Sequence, residues 1–250
     1  MPDTSPDATR QEQQFWTRYF TVYDTLNEAT PYQAMIARQV ELLAPTTGAR
    51  ALDAGTGSGN LAAALVRRGV DLVGLDFCEP ALVLARAKAP GATFQFGDLT
   101  KPLAFPADTF DLVTCSAVLH VLGRDQQRFA LGELARVLRP GGRLVVTAFA
   151  EGFDPLQVYW ATLADAYRER GPVGAIAFCA RYSWNTARIL YYVRRIQREQ
   201  QRGAVAYVND ESLPALLADA GLAPVSVERT LAGQCVTALA VKASSSSVRP

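Results

Sequence analysis

Three aspartates stand where short apolar runs of the sequence end. Asp53 precedes a glycine-rich segment, Asp76 closes the run 71–76, and Asp98 follows the run 92–96. In open α/β sheets ligands bind beyond the carboxyl ends of the strands, and an acid after the second strand can accept ribose hydroxyls. The charge of Asp53 disfavours a pyrophosphate and suits a cation. The three acids together predict a ligand with a ribose, a positive charge and exocyclic amino hydrogens.

The segment between Asp53 and a predicted helix near Leu61 contains the alternating glycines Gly55, Gly57 and Gly59. Glycine lets the backbone turn tightly and approach a ligand without interference from a Cβ atom. The helix that follows has free N–H groups, which suit a carboxylate or phosphate. Residues 57–62 also satisfy the loose dinucleotide pattern with alanine in third place, so an NAD(P)-dependent oxidoreductase stays an alternative from this segment alone.

Two further side chains are candidates for chemistry on a substrate. His120 is the only histidine and lies just past the fourth apolar run. Imidazole titrates near neutrality, so His120 is a candidate general base, with local packing or capping as the alternative. Tyr23 is a candidate for covering the ligand or orienting a substrate, with helix packing as the alternative. The four cysteines form no CxxC pair, and we expect no metal site.

The elements that position these residues follow from the alternation of apolar runs with helical segments. Helical spacing is found at 61–68, 80–88 and 126–138, and alternation of this kind predicts βαβ units and a parallel sheet. The last two runs are joined by 231–233, which suits an antiparallel hairpin. We therefore predict an α/β fold with a doubly wound, mostly parallel, seven-stranded, Rossmann-like sheet, an antiparallel edge strand and a helical cap. The predicted strands are 49–53, 71–76, 92–96, 111–116, 143–149, 223–229 and 234–241.

Length and composition favour one globular domain. The chain has 250 residues, of which 49% are hydrophobic and 20% charged, which excludes collagen, coiled coil and wholesale disorder. Residues 1–14 are predicted to be a disordered lead-in and 244–250 a flexible tail. A single domain is predicted over 15–243, with a cap built from 15–43 and 154–203.

The cap segment 154–203 is rich in aromatic and arginine residues. Arg188, Arg195 and Arg202 recur every seven residues and should share one helical face. That face suits an anionic substrate, an acidic partner or lipid headgroups, or it is a solvated charged face. The apolar positions opposite, including Ile189 and Val193, suit a roof over an apolar substrate or a homodimer contact.

Charge and hydropathy restrict the partners and the compartment. The formal net charge of +1 does not demand a polyanion, and no Asn/Asp-Pro-Pro-aromatic run follows the fourth strand to hold a flipped base. We therefore expect no nucleic acid. The N-terminal segment is polar, and no apolar run approaches the roughly 20 residues of a membrane span. The expected compartment is the cytoplasm, with no transmembrane segment.

From about Phe15 to Val241 the chain resembles the class I S-adenosylmethionine-dependent methyltransferases. The resemblance implies S-adenosyl-L-methionine as the cofactor. It implies that Asp76 binds the ribose, that Phe77 lies beside the adenine, and that Asp98 accepts from its amino group, flanked by Leu99. It implies a helix–turn–strand element at 136–144, in which Pro140 ends the helix. The first cofactor motif and the cofactor channel would contain Asp53, Gly55, Thr56, Gly57, Gly59 and Ser116.

Within that family the sequence is similar to the ubiquinone and menaquinone biosynthesis C-methyltransferases. The segments 19–27 and 105–111 resemble their N-terminal element and the turn before their fourth strand, whereas 117–122 is more typical of general small-molecule methyltransferases. The implied reaction is in-line transfer of a methyl group to a small, aromatic or quinone-like, apolar acceptor. A non-catalytic S-adenosylmethionine-binding module is the alternative. Asp53, Asp98 and the C-terminal hairpin argue against the oxidoreductase.

Overall fold

The computed structural model describes residues 14–15, 18, 27, 29–201 and 206–244; the side chains of 179–181, 183–190, 193 and 195–201 lie outside that description. The predicted lead-in up to residue 13, Tyr23, Arg202 and the tail from 245 therefore fall outside it. So do the side chains of Arg188 and Arg195, on which the predicted arginine face depends.

The described elements alternate between strand and helix along the chain, and their bounds are as follows: α1 (Thr30–Leu43), β1 (Arg50–Ala54), α2 (Asn60–Val66), β2 (Asp71–Asp76), α3 (Glu79–Lys88), β3 (Thr93–Phe96), β4 (Phe110–Ser116), a 3-10 turn (Leu119–Val121), α4 (Arg124–Val137), β5 (Leu138–Phe149), α5 (Pro155–Gln201), α6 (Ser212–Asp219), β6 (Leu222–Thr230) and β7 (Cys235–Lys242).

The seven strands form one sheet in the order β3-β2-β1-β4-β5-β7-β6. Strands β1 to β5 pair in parallel, and β7 is antiparallel to both β5 and β6. The predicted doubly wound sheet and its C-terminal hairpin are therefore confirmed, with β6 at the edge and β7 next to it. The strand order reverses between β1 and β4, the place where open α/β sheets bind ligands.

Helices cover both faces of the sheet and bury two apolar clusters against it. On one face Leu43 of α1, Leu65 of α2 and Leu82 of α3 are buried together. On the other face Leu134 of α4 and Leu217 of α6 belong to a second cluster. This two-sided burial explains why β1 and β2 are almost continuously apolar rather than alternating.

A third cluster joins the long helix α5 to α1 at the carboxyl edge of the sheet. Phe178 and Tyr182 of α5 are buried with Tyr32 and Met35 of α1. The helical geometry of α5 is interrupted at Gly171, with φ 67° and ψ 179°, immediately before Pro172. Positive φ suits glycine, and proline tolerates the first turn of a new helix, so the sequence itself explains this kink.

The helix–turn–strand element differs from the prediction at Pro140. Helix α4 ends at Val137, and Leu138 already pairs with Phe110 in the sheet. The register then shifts, so that Leu112 faces Arg143, and Gly141 in the intervening bulge has φ +75°. The helix therefore ends before it reaches Pro140, because Leu138 pairs in the sheet and because a residue that precedes a proline disfavours the helical conformation.

In the described part of the chain, no helix combines the length and the apolar character that are needed to cross a membrane.

Candidate functional site

The glycine loop lies between β1 and α2 at the carboxyl edge of the sheet. Gly55, Gly57 and Gly59 all have positive φ, at 76°, 53° and 81°. A Cβ atom on Gly59 would lie 2.8 Å from Cα of Ala85, and one on Gly55 would collide with Val118. The loop is thus held closely against α3 and against the segment after β4. Glycine is required at both positions by backbone conformation and by space.

Asp53 lies buried beneath this loop, and each of its carboxylate oxygens accepts a hydroxyl hydrogen bond. The Thr56 hydroxyl donates to Oδ2 at 2.7 Å, and the Thr114 hydroxyl of β4 donates to Oδ1 at 2.6 Å. Burial raises the pKa of this carboxyl, while the two hydroxyls oppose the rise. Asp53 therefore ties the loop to β4. Neither hydroxyl supplies a positive charge that would balance the ionised form.

Asp76 at the end of β2 holds the same loop from the other side. Its Oδ2 accepts from the backbone N–H of Gly57 at 2.8 Å, and its Oδ1 accepts from that of Cys78 at 2.9 Å. Burial raises the pKa of Asp76 to about 6, against the opposing effect of those backbone N–H groups, and the charge of Asp53 adds to the rise. The structure thus brings these two predicted acids together across the glycine loop.

Asp98 follows β3, the next strand outward from β2. Its Oδ1 accepts from the backbone N–H and the hydroxyl of Thr100, and the Lys101 ammonium lies 3.5 Å from its Oδ2. Phe77 is half-buried immediately after Asp76, whereas Leu99 is buried in the apolar cluster under α4. The order β3-β2-β1-β4 puts Asp98, Asp76, Asp53 and Ser116 at one edge of the sheet, as the sequence predicts.

The segment after β4 links the glycine loop to His120. Ala117 adopts φ +56° directly after Ser116, and this left-handed turn brings Val118 against Gly55. His120 follows in the 3-10 turn and is only 3% exposed. Its ring packs against Phe149 at a tilt of 30° with the centroids 4.0 Å apart, and burial lowers its pKa to about 3. The imidazole is therefore neutral at pH 7.

Comparison with known proteins agrees with this geometry. A family model described as a methyltransferase domain matches residues 52–146. A demethylmenaquinone methyltransferase of Renibacterium salmoninarum is 30% identical over 188 residues, which cover 75% of this chain and 72% of that protein. The chain belongs to the class I S-adenosylmethionine-dependent methyltransferases.

Other relatives are matched over only part of their length. A demethylmenaquinone methyltransferase of Thermus thermophilus is 40% identical to this methyltransferase over 135 residues, 51% of this chain and 60% of that protein. The matched part spans 46–60% of the length of three such relatives. The solved Burkholderia thailandensis 1,6-didemethyltoxoflavin-N1-methyltransferase, with 1,6-didemethyltoxoflavin and S-adenosylhomocysteine bound, shares the fold. Its TM-score is 0.61 at 18% identity, covering 97% of this chain and 92% of that chain.

The described residues of this methyltransferase fit S-adenosylmethionine at the sheet edge. The glycine loop presents bare backbone there, and the buried acids Asp53 and Asp76 accept hydrogen bonds from uncharged hydroxyl and N–H groups. A cationic ligand would favour the ionised form that burial disfavours. A pyrophosphate would instead add negative charge beside them. No group of three or more His, Cys, Asp or Glu in the described ranges is placed to hold a metal ion.

Sequence reasoning missed residues that act through long-range contacts. Thr114 was detectable in principle, as a polar residue inside an apolar strand. Gln127 and Tyr207 were not, because each has a contact that is distant in the chain. The Gln127 amide donates to the nearby carbonyl oxygens of Leu119 and Leu122 at 2.7 and 3.2 Å, but also to that of the distant Ala206 at 2.5 Å. Of the predicted site residues, only Tyr23 lies outside the described residues.

Proposed function

We propose that this methyltransferase is an enzyme that transfers a methyl group to a small acceptor with an aromatic or quinone-like ring. S-adenosylmethionine, when bound, supplies a methyl group that its positive sulfur already activates. The observation that carries the proposal is the glycine loop held between the buried carboxyls of Asp53 and Asp76. Two of the relatives are demethylmenaquinone methyltransferases, which supports a quinone-type acceptor.

The residues at the sheet edge would bind and orient rather than react. In the proposal Asp76 accepts hydrogen bonds from the ribose hydroxyls, and Asp98 accepts from the adenine amino group. Alignment of two reactants and exclusion of water can contribute roughly 7–11 kcal/mol to the rate. The residues proposed to contact the cofactor are Asp53, Gly55, Thr56, Gly57, Gly59, Asp76, Phe77, Asp98, Leu99 and Ser116.

His120 is proposed to act on the acceptor, and its lowered pKa restricts how. A phenol has a pKa near 10, so moving its proton to an imidazole with a pKa of about 3 costs about 10 kcal/mol. Removal of a proton before transfer is therefore unfavourable. A ring that has just gained a methyl group at carbon is far more acidic, and we propose that His120 takes the proton then. Tyr23 stays a predicted residue of the cofactor or acceptor site.

The test is turnover with a labelled methyl group. Purified protein is incubated with methyl-labelled S-adenosylmethionine and a demethylmenaquinol with a short side chain, and the methylated product is identified by mass spectrometry. We expect Asp76→Ala to lose cofactor affinity and turnover. Asp71→Ala, at the opposite, exposed end of β2, is the matched control and should retain both. Cofactor binding without turnover on any acceptor would instead support a non-catalytic binding module.

The homodimer contact through the cap also stays a proposal. Trp160, Val173 and Ile176 of α5 are exposed apolar residues that would form it. Light scattering after size-exclusion chromatography would detect twice the chain mass, and Val173→Asp should reduce it to one chain. A single-chain mass for the unaltered protein would contradict the proposal.

A further inference from the structure

A cluster of aromatic rings lies beyond the carboxyl ends of β4 and β5. His120 packs at a tilt against Phe149, and Phe149 stacks on Phe153 with the centroids 4.1 Å apart. Tyr207 meets the His120 ring edge-on at 6.0 Å. The cluster is closed above by α5, because Phe153 and Tyr207 belong to the apolar cluster beneath that helix.

Two polar atoms in this cluster are buried without a hydrogen-bond partner in the described structure: Nδ1 of His120 and the hydroxyl oxygen of Tyr207. The two residues are only 3% and 4% exposed. Buried polar groups are nearly always hydrogen-bonded, because an unsatisfied group loses its water without compensation. Two such atoms in neighbouring rings therefore point to a ligand that supplies the missing partners.

The two atoms have complementary hydrogen-bonding capacity. Burial raises the pKa of Tyr207 to about 12, so its hydroxyl keeps its proton and can donate. The imidazole of His120 is neutral, and in the tautomer with its proton on Nε2 it accepts at Nδ1. A hydroxyl on a ligand can satisfy both, whereas a carbonyl oxygen can satisfy Tyr207.

Hydrogen bonds tie the segments that carry these two residues together. The amide of Gln127 donates to carbonyl oxygens of Leu119 and Leu122 on one segment and of Ala206 on the other. Arg124 donates to the Tyr207 carbonyl, and the Ala206 N–H donates to the Leu122 carbonyl. Tyr207 therefore has a defined position beside His120, although the two are far apart in the sequence.

We propose that Tyr207 and His120 together bind an oxygen substituent on the ring of the methyl acceptor, an inference that rests on the proposed function. Aromatic side chains around them suit the planar ring, and the two polar atoms select for its oxygen. Tyr207 is thus a specificity-determining residue for an acceptor that carries a hydroxyl or carbonyl group. Gln127 is a positioning residue, because it acts through the backbone of both segments.

The test compares two probes that differ by one hydroxyl, 1-naphthol and naphthalene. Their affinities are measured by equilibrium dialysis with saturating S-adenosylhomocysteine. We expect the unaltered protein to prefer 1-naphthol by about tenfold, the combined effect of its two hydrogen bonds, with Tyr207 and with His120. Tyr207→Phe keeps the ring and the bond to His120, so it should reduce that preference to about threefold without changing naphthalene or S-adenosylhomocysteine affinity. Tyr167→Phe, on the exposed surface of α5, is the control and should keep the preference.

The outcomes separate this inference from the proposed function. Equal affinity of the unaltered protein for both probes, binding of neither, or an undiminished preference in Tyr207→Phe would overturn the inference while cofactor binding persists. Failure to bind S-adenosylhomocysteine would overturn the proposed function, and the inference with it. Because a purely structural tyrosine would change folding but not the ratio of the two affinities, the ratio is the decisive readout.

Discussion

The affinity for S-adenosylmethionine should depend on pH through Asp76. Its pKa is raised from 3.8 to about 6 in the unliganded protein, chiefly by burial. The folded state then holds this proton more tightly than the unfolded state does. The associated stability is present below pH 4 and is lost as the pH rises through 6, a cost of about 3 kcal/mol at neutral pH. Ribose hydroxyls that donate to the ionised carboxylate would offset part of that cost.

The expected size of the effect follows from the same pKa. At pH 7 about nine tenths of the Asp76 carboxyl is ionised, and at pH 5 about one tenth. The binding constant should therefore fall by about tenfold between pH 7 and pH 5, which corresponds to about 1.4 kcal/mol. Isothermal titration calorimetry with S-adenosylmethionine at half-unit steps of pH would measure it.

Two variants assign the effect to its residue. In Asp76→Asn the amide oxygen accepts hydrogen bonds at every pH, so the tenfold change in the binding constant should vanish. Any smaller pH dependence that remains is assigned to Asp53, because burial also raises the pKa of that carboxyl. Asp98→Asn alters another predicted cofactor contact and should keep the full pH dependence. A flat profile for the unaltered protein, or an unchanged tenfold fall in Asp76→Asn, would refute the reasoning.

Three further substitutions, with Gly48→Ala as a control, test the packing around the site. Gly59→Ala and Gly48→Ala impose the same left-handed strain, with φ +81° and +79°, which costs about 1–2 kcal/mol. At Gly59 the new methyl group also meets Ala85, which should lower the free energy of unfolding by about 1–3 kcal/mol more than at Gly48. Equal losses of unfolding free energy in urea denaturation would contradict the close approach of the glycine loop to α3. Gln127→Leu leaves buried carbonyl oxygens without their donor, so it should destabilise the protein by about 1–3 kcal/mol and raise the KM for the acceptor. An altered Kd for the cofactor would argue against the placement of Gln127 at the acceptor site. Tyr207→Phe removes an unsatisfied hydroxyl, so the melting temperature without ligand should rise by about 2–4 °C, and a fall would show that the hydroxyl has a partner.

The sheet and its edge were predictable because the signals for them are local. The run 71–76 coincides with β2, and the acids at the carboxyl ends of β1, β2 and β3 lie at the predicted edge. The end of α4 was not predictable in the same way. Local rules assign the stop to Pro140, whereas the pairing of Leu138 with Phe110 draws the chain into the sheet two residues earlier. A contact between distant segments thus decides that boundary.

In the candidate site too, the local sequence identifies some residues but not the contacts between them. The identities of Asp53 and Asp76 follow from their spacing around the glycines, but their hydrogen-bond partners do not. The Thr114 hydroxyl reaches Asp53 only because β4 lies beside β1. Tyr207 carries no periodic or motif signal, and it comes to His120 through the bridge between Ala150 and Val208 and the amide of Gln127. Tertiary contacts of this kind are absent from any window of sequence.

The proposed cofactor site and the proposed acceptor site share one short segment, which would keep the two aligned. Val118 packs on Gly55 of the glycine loop, and His120 two residues later lies against Tyr207. Ala117 lies between the end of β4 and the residues that make these two contacts. Its φ is +56°, a conformation that alanine adopts only at a cost of about 1–2 kcal/mol. Its N–H donates to the Thr147 carbonyl of β5, which holds the turn in place. Strain retained at such a position is typical of functional sites, because the surrounding contacts determine the geometry. Any movement of this turn would displace Val118 and His120 together, so the proposed cofactor and acceptor sites would move as one unit.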